Sequence, residues 1–258
     1  MNVFNHRDGA YLDIDDARIY FEQLGAQDAP ALILLHGGLG HIETFNTITP
    51  YLAEHWRLIG IDSRGQGKST LGSAGLTYQR LQQDVERVIE HLGLTSVSII
   101  GHSDGGIVGL RLAASKQVRV DKLVTLGAHW ALKQDDPTRG LYAGITAAKW
   151  RGLFAEEVEQ YESLNPEPDF AHLMDAVKAL WLDTSEAGYP GASVSAITAP
   201  LLVVRGDEDP LVSRINALEL ADQVPGAQLL NLAFADHSPH ESRPQWLMPM
   251  VDAFLNPR

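Results

Sequence analysis

The stretch SIIGHSDGGIVGL, residues 98–110, decides the fold of this chain. Its apolar residues before Gly101 predict a buried strand, and those after Gly105 predict a helix. The pattern Gly-x-Ser-x-Gly between them predicts a sharp turn that lifts the hydroxyl of Ser103 out of the sheet, because the glycines let two backbones approach closely. The alternative is a plain glycine-rich turn in which Ser103 only caps the helix.

Strands and helices alternate along the chain on both sides of this turn. An N-terminal hairpin is followed by apolar strand-sized runs and by amphipathic helical segments. The predicted strands are 10–14, 17–24, 31–35, 56–61, 96–100, 120–126, 200–205 and 227–232, and the predicted helices are 42–54, 77–92, 104–115, 155–164, 170–182, 213–224 and 243–255. Such alternation predicts an α/β fold with a mostly parallel, doubly wound sheet.

The alternation stops between residues 128 and 191, a segment richer in Trp, Pro and acidic residues. It contains helical patterns and no convincing strand. We therefore predict that residues 1–127 and 192–258 form one core and that residues 128–191 form a helical lid. Ligands of open parallel sheets bind beyond the carboxyl ends of the strands, so such a lid would cover the site.

Composition excludes several classes of function. The chain has 258 residues and no cysteine, so it has no disulfide, thiolate metal site or cysteine nucleophile. Its net charge of −13 argues against nucleic acid and anionic membranes as partners. Residues 1–16 lack the apolar core of a signal peptide, and the longest apolar runs are strand-sized. We expect a cytoplasmic protein with no metal and no cofactor, and nothing in the sequence indicates its oligomeric state.

A serine hydroxyl becomes a nucleophile only beside a base that takes its proton, and an acid must orient that base. Two histidines follow the later strands, His237 and His240, and both lie in one loop before the last helix. From that loop, either could reach Ser103 across the ends of the strands. The residues alone leave the choice between them open.

Three carboxylates compete for the role of the acid. Asp207, Glu208 and Asp209 follow the strand that ends at Arg205. We choose Asp209, because the chain must first leave the strand at Gly206. Asp207 is the second choice, and its other explanation is a turn residue that bonds its own backbone.

A glycine-rich loop, His36-Gly37-Gly38-Leu39-Gly40, follows the strand 31–35. Such a loop can direct backbone N–H groups at an oxygen that gains negative charge. We assign this role to Gly38, with Leu39 as the alternative register, together with the N–H of Asp104 directly after the nucleophile. No Gly-Lys-Ser/Thr follows, which excludes a phosphate-binding loop.

Together, five motifs in this order resemble the α/β-hydrolase family over nearly the whole chain. They are His36–Gly40, Asp62-Ser63-Arg64-Gly65-Gln66-Gly67-Lys68-Ser69, Gly101–Gly106, Gly206–Asp209 and His237-Ser238-Pro239. In that family the acid lies three residues after the glycine of its turn and the base two residues before a proline. The resemblance therefore implies Asp209 and His237. Many relatives have glycine before the base, where this chain has Asp236.

The resemblance implies a serine hydrolase without cofactor that uses water to cleave an ester or lactone of a small carboxylic acid. Ser103 argues against the family's aspartate-nucleophile enzymes, and Gly-His-Ser-Asp-Gly departs from the motif of the proline-releasing peptidases. Carbon–carbon bond hydrolases often carry asparagine where this chain has His102. Such a hydrolase, or a non-enzymatic ligand receptor or signalling partner that keeps the triad, remains the alternative.

Candidate pocket residues lie in loops beyond the strands or in the predicted lid. They are Leu39, His41, His129, Trp130, Tyr142, Trp150 and Trp181. Each has a second explanation as packed core of the lid, because buried aromatic rings contribute large apolar contact areas there.

Overall fold

The predicted strands form one sheet in the computed structural model, which describes residues 3–256. Its order is β1-β2-β4-β3-β5-β6-β7-β8. The strands are β1 (Ala10–Ile14), β2 (Ala17–Leu24), β3 (Ala31–Leu35), β4 (Arg57–Ile61), β5 (Ser96–His102), β6 (Arg119–Leu126), β7 (Leu201–Gly206) and β8 (Gln228–Leu232). The pairs β1/β2 and β2/β4 are antiparallel, and all others are parallel. The predicted α/β class with a mostly parallel sheet is confirmed.

Helices cover both faces of this sheet. They are α1 (Thr49–Leu52), α2 (Tyr78–His91), α3 (Asp104–Ser115), α4 (Thr138–Gly144), α5 (Ala147–Leu153), α6 (Ala155–Leu164), α7 (Phe170–Leu182), α8 (Arg214–Gln223), α9 (Pro239–Ser242) and α10 (Pro244–Leu255). Two short 3₁₀ helices, Ile42–Thr47 and Gly191–Ala196, complete the set. No helix among residues 3–256 is long and apolar enough to cross a membrane.

The strand β3 explains why the sheet needs two helical layers. All five of its residues are buried. Leu32 and Leu34 pack into one hydrophobic cluster with α10, while Ile33 and Leu35 pack into the other with α2 and α3. Successive side chains of a strand point to opposite faces, so an unbroken apolar run requires cover on both.

The predicted helix at 42–54 is wrong as a single element. The structure has a 3₁₀ helix at Ile42–Thr47 and the short α1 at Thr49–Leu52, with Pro50 in its first turn. Proline has no N–H to donate back along a helix, so one continuous helix cannot run through this point.

The segment 128–191 carries α4 to α7 and no described strand. The predicted helices 155–164 and 170–182 coincide with α6 and α7, whereas α4 and α5 were not predicted. At α5 the sequence signal is weak because a helix of seven residues, none of them fully buried, is too short to show a clear apolar period. The division into core and lid stays a prediction, and residues 1, 2, 257 and 258 of its ranges lie outside the described residues.

Candidate active site

Ser103 stands at the tight turn between β5 and α3. Its backbone has φ 49° and ψ −115°, a strained conformation for a residue with a side chain. The turn closes because its neighbours are glycines: a Cβ on Gly105 would lie 2.1 Å from the carbonyl oxygen of Leu35, and one on Gly101 would lie 2.3 Å from that of Gly105. The Ser103 hydroxyl makes no capping bond to α3, so the plain-cap explanation does not describe this turn.

His237 faces Ser103 from the loop between β8 and α9. The Nε2 atom of His237 lies 3.0 Å from Oγ of Ser103, and Nδ1 lies 2.9 Å from Oδ2 of Asp209. A carboxylate can only accept, so Nδ1 carries the proton and Nε2 can accept one from Ser103. The three residues that the sequence motifs imply are therefore brought into one hydrogen-bonded chain.

His240, the other histidine of this loop, is fully buried. Neither of its ring nitrogens has a hydrogen-bond partner within residues 3–256. Burial, aided by the nearby His237, lowers its pKa from 6.5 to about 3, which keeps the ring neutral. It does not contact Ser103 through a hydrogen bond.

Asp209 is fixed by the loop that follows β7. Its Oδ1 atom accepts the main-chain N–H groups of Leu211 and Val212 at 2.8 and 3.0 Å. Burial by itself raises the pKa of this carboxyl, but the hydrogen bond from His237, the charge of His237 and these N–H groups outweigh it and hold the pKa below 3.8. Asp209 is thus held as a carboxylate that can orient His237.

The competing carboxylates of both loops have other partners. Asp207 accepts hydrogen bonds from Arg214 at 2.7 Å and from Asn231 at 2.8 Å. Asp236, which replaces the glycine of many relatives, accepts the N–H of Ser238 and the hydroxyl of Ser242, both at 2.9 Å. Asp236 therefore holds the start of α9 and leaves the imidazole of His237 to Asp209.

The glycine-rich loop after β3 lies against the start of α3. Gly105 donates its N–H to the carbonyl oxygen of His36 at 3.1 Å, and Gly40 donates to that of Gly37 at 3.1 Å. His36 is buried and accepts the N–H of Ser63 at 2.9 Å, while burial lowers its pKa from 6.5 to about 4. His36 is thus a neutral structural histidine that ties the loop to the turn after β4.

Gly38 has no room for a side chain. A Cβ there would lie 2.5 Å from Oδ2 of Asp104 and 2.8 Å from Cζ2 of Trp181. Leu39, the alternative register, has φ 62°, which turns the chain sharply at this point. The assignment of the oxyanion N–H to Gly38 rather than Leu39 stays a proposal.

The carboxylate of Asp104 is a feature that sequence reasoning missed. It accepts the hydroxyl of Tyr78 at 2.7 Å and the indole N–H of Trp181 at 3.0 Å. Burial raises its pKa, although both hydrogen bonds act in the opposite direction. Residues from α2 and α7 therefore meet at Asp104, directly after Ser103. Nothing in the local pattern around Tyr78 distinguishes it from an ordinary first residue of an amphipathic helix.

The remaining pocket candidates contact different parts of the structure. Trp181 lies over Gly38, and the rings of Tyr142 and Trp150 lie 5.0 and 6.1 Å from its own. His129 is buried, with Nε2 3.7 Å from a carboxylate oxygen of Asp136. The ring of Trp130 lies 6.0 Å from Nζ of Lys133. His41 accepts the N–H of Glu43 and so caps the 3₁₀ helix.

Within residues 3–256, no group of three or more His, Cys, Asp or Glu side chains is placed to hold a metal ion.

Known proteins similar to this chain share its fold. A family model described as "alpha/beta hydrolase fold" matches residues 30–146. The serine hydrolase BPHL of Mus musculus is 26% identical over 258 residues, which are 95% of this chain and 86% of that protein.

Two solved structures superpose along nearly the full length of the chain. The carboxylesterase CesB from Bacillus subtilis has a TM-score of 0.74 at 23% identity and covers 96% of this chain and 91% of its own. A meta-cleavage product hydrolase from Pseudomonas fluorescens IP01 has a TM-score of 0.80 at 17% identity, with 98% and 99% covered. At these identities the likeness concerns the fold.

Proposed function

Because the chain is an α/β-hydrolase-fold protein, we propose that it is a serine hydrolase that cleaves esters or lactones of small carboxylic acids. The observation that carries the proposal is the hydrogen-bonded chain from Ser103 through His237 to Asp209, with spacings of 3.0 and 2.9 Å. Nucleophile, base and orienting acid in this geometry are the requirements of acyl transfer through a covalent intermediate.

In the proposed reaction, Oγ of Ser103 attacks the acyl carbon while its proton passes to Nε2 of His237. The main-chain N–H groups of Asp104 and Gly38 donate to the oxygen that becomes negative. His237 then gives its proton to the leaving alcohol oxygen, and the acyl group stays on Ser103. Water attacks this ester, His237 takes the water's proton, and the acid is released as Ser103 regains its hydrogen.

The proposed lid, residues 128–191, supplies the substrate with its apolar surroundings. Trp181 connects the lid to the surroundings of Ser103, because its indole N–H donates to Asp104 and its ring lies over Gly38. We propose Leu39 and Trp181 as pocket residues on this ground. His41, His129 and Trp130 belong to the same proposed pocket.

The test is hydrolysis of p-nitrophenyl esters of increasing acyl length, and of lactones, by wild type and Ser103→Ala. We expect the variant to lose about a thousandfold or more in kcat, since a triad without its nucleophile keeps only oxyanion binding. Ser115→Ala, at the other end of α3, is the matched control and keeps wild-type turnover.

A fluorophosphonate probe provides a second readout of the same proposal. It should label wild type and Ser115→Ala at Ser103 and leave Ser103→Ala unlabelled. Undiminished turnover by Ser103→Ala would contradict the proposal. Labelling of wild type without multiple turnover on any ester or lactone would also contradict it, and would favour the carbon–carbon hydrolase or receptor alternative.

A further inference from the structure

His102, the residue before the nucleophile, touches three loops of the site at once. It ends β5 and is 8% exposed. Its Nε2 atom lies 3.1 Å from the main-chain carbonyl oxygen of His237. Its ring therefore links the turn that carries Ser103 to the backbone of the loop that carries the base.

The hydrogen-bond partner fixes the position of the proton on this ring. A carbonyl oxygen only accepts, so Nε2 of His102 must donate and carry the proton. Burial, with the neighbouring His240 and His237 acting in the same direction, holds the pKa of His102 well below 6.5. His102 is thus the neutral imidazole protonated at Nε2.

The opposite edge of the ring lies against the glycine-rich loop. A Cβ on Gly37 would lie 2.7 Å from Nδ1 of His102 and 3.2 Å from Cβ of Ser103. Only glycine at position 37 leaves space for the imidazole. The ring is therefore packed closely against this loop in the position from which it holds the carbonyl of His237.

The ring of His102 also packs against a second buried histidine, His240. The rings of His102 and His240 lie 4.7 Å apart, and those of His102 and His237 lie 5.0 Å apart. His240 is neutral because burial lowers its pKa to about 3. The rings of His102 and His240 are both neutral, so neither places a positive charge beside His237 when His237 takes a proton.

We propose that His102 is a positioning residue that holds the main chain of His237 against the turn of Ser103 and the loop of Gly37. The inference deepens the proposed function and rests on it. The side chain of His237 has two hydrogen bonds, but these fix its distance to Ser103 only if the backbone beneath it is also fixed. A displacement of about 1 Å at a reacting group can reduce the rate about a hundredfold.

The test compares two amides that differ by one methylene, His102→Gln and His102→Asn. The glutamine amide N–H reaches about as far as Nε2 of histidine, whereas the asparagine amide stops near the position of Nδ1. We expect His102→Gln to keep kcat within about threefold of wild type and His102→Asn to lose about tenfold to a hundredfold, with KM changed less than about threefold in both.

Ser238→Ala is the matched control, because Oγ of Ser238 also lies near Nε2 of His102, at 3.4 Å, without holding the carbonyl of His237. It should keep wild-type kcat. Equal losses in His102→Gln and His102→Asn would overturn the proposal, as would wild-type kcat in His102→Asn. If the wild-type protein hydrolyses no ester and is not labelled by the fluorophosphonate probe, the proposed function is contradicted instead. This outcome differs from those that contradict only the role of His102.

The position of the proton can be measured in the wild-type protein without any variant. Nitrogen-15 chemical shifts of the histidine rings at pH 7 should show His102 as neutral, with the hydrogen on Nε2. A ring without the hydrogen on Nε2 would overturn the proposal even if both His102 variants failed to fold.

Discussion

At the scale of single residues, the site depends on which of several similar side chains has the right neighbours. Asp207 and Asp209 are two residues apart on one loop, yet of the two only Asp209 accepts the hydrogen bond from Nδ1 of His237. Asp207 is instead bound by Arg214 and Asn231 at the surface. The difference between an orienting acid and a structural turn residue thus arises from where each side chain points after Gly206.

This contrast predicts opposite outcomes for two matched variants. Asp209→Asn should reduce kcat at least about a hundredfold, because an amide N–H facing Nδ1 favours the wrong tautomer of His237. Asp207→Asn should leave kcat within about twofold, and steady-state hydrolysis of one p-nitrophenyl ester measures both. Equal activities of the two variants would show that Asp209 is not the orienting acid.

At the scale of elements, the segment before β1 carries a charged histidine that binds two carboxylates. His6 is buried, with Nδ1 2.6 Å from Glu43 and Nε2 2.8 Å from Asp62. Burial lowers its pKa, but the hydrogen bonds and charges of the two carboxylates outweigh this and raise the pKa from 6.5 to about 9. Asp62 also accepts the N–H of Ile42 at 2.9 Å, so this ion pair borders the 3₁₀ helix that follows the glycine-rich loop.

The raised pKa predicts how the pH changes stability. Between pH 6.5 and pH 9 the folded protein keeps the proton of His6 while the unfolded chain loses it. The contribution of His6 is therefore fully present below about pH 6.5 and is lost as the pH rises through 9.

Thermal unfolding measures this contribution. The Tm of wild type should fall more between pH 6.5 and pH 10 than that of His6→Gln, which has no proton to lose at this position. His55→Gln, a change at an exposed histidine, should follow wild type. Parallel pH curves for wild type and His6→Gln would mean that His6 is neutral in the folded protein.

The element scale also shows how far the sequence could predict this fold. Strands 10–14, 17–24 and 31–35 were predicted with the observed bounds, because alternation and unbroken apolar runs are local signals. The helix α5 gives only a weak signal, since it has seven residues and none is fully buried, although Ala147 and Trp150 pack partly against the core. Pro50 is the local feature that separates the 3₁₀ helix from α1, although the apolar spacing around it resembles that of one continuous helix.

At the scale of the whole molecule, the buried residues are distributed unevenly among the strands and helices. Every residue of β3 is buried, and nine of the twelve residues of α3 are. The helix α5 buries none, and α6 buries only Val158 and Tyr161. Segments with few buried apolar contacts open at lower free energy than a packed core, so α5 and α6 have the features of a mobile cover, whereas α7 of the same proposed lid buries six residues.

Native-state hydrogen exchange tests this difference. The amides of α5 and α6 should exchange at least about a hundredfold faster than those of α3, because their opening does not require the sheet to unfold. The helix α3 is the internal control in the same sample. Protection of α5 equal to that of α3 would mean that residues 128–191 are a rigid part of the core.

The sequence by itself determined the α/β class, the turn at Ser103 and the set of residues from which acid and base are drawn. These follow from apolar periods and from glycines whose missing side chains permit tight turns, and both are local properties of the chain. The tertiary structure decided which side chains meet. His237 lies 134 residues from Ser103 and 28 from Asp209, and only the order of β3, β5, β7 and β8 in the sheet brings their loops to one edge. The same assembly brings Tyr78 and Trp181 into hydrogen bonds with Asp104, and His102 into a hydrogen bond with the carbonyl of His237. These contacts join distant segments, so no local pattern in the sequence predicts them.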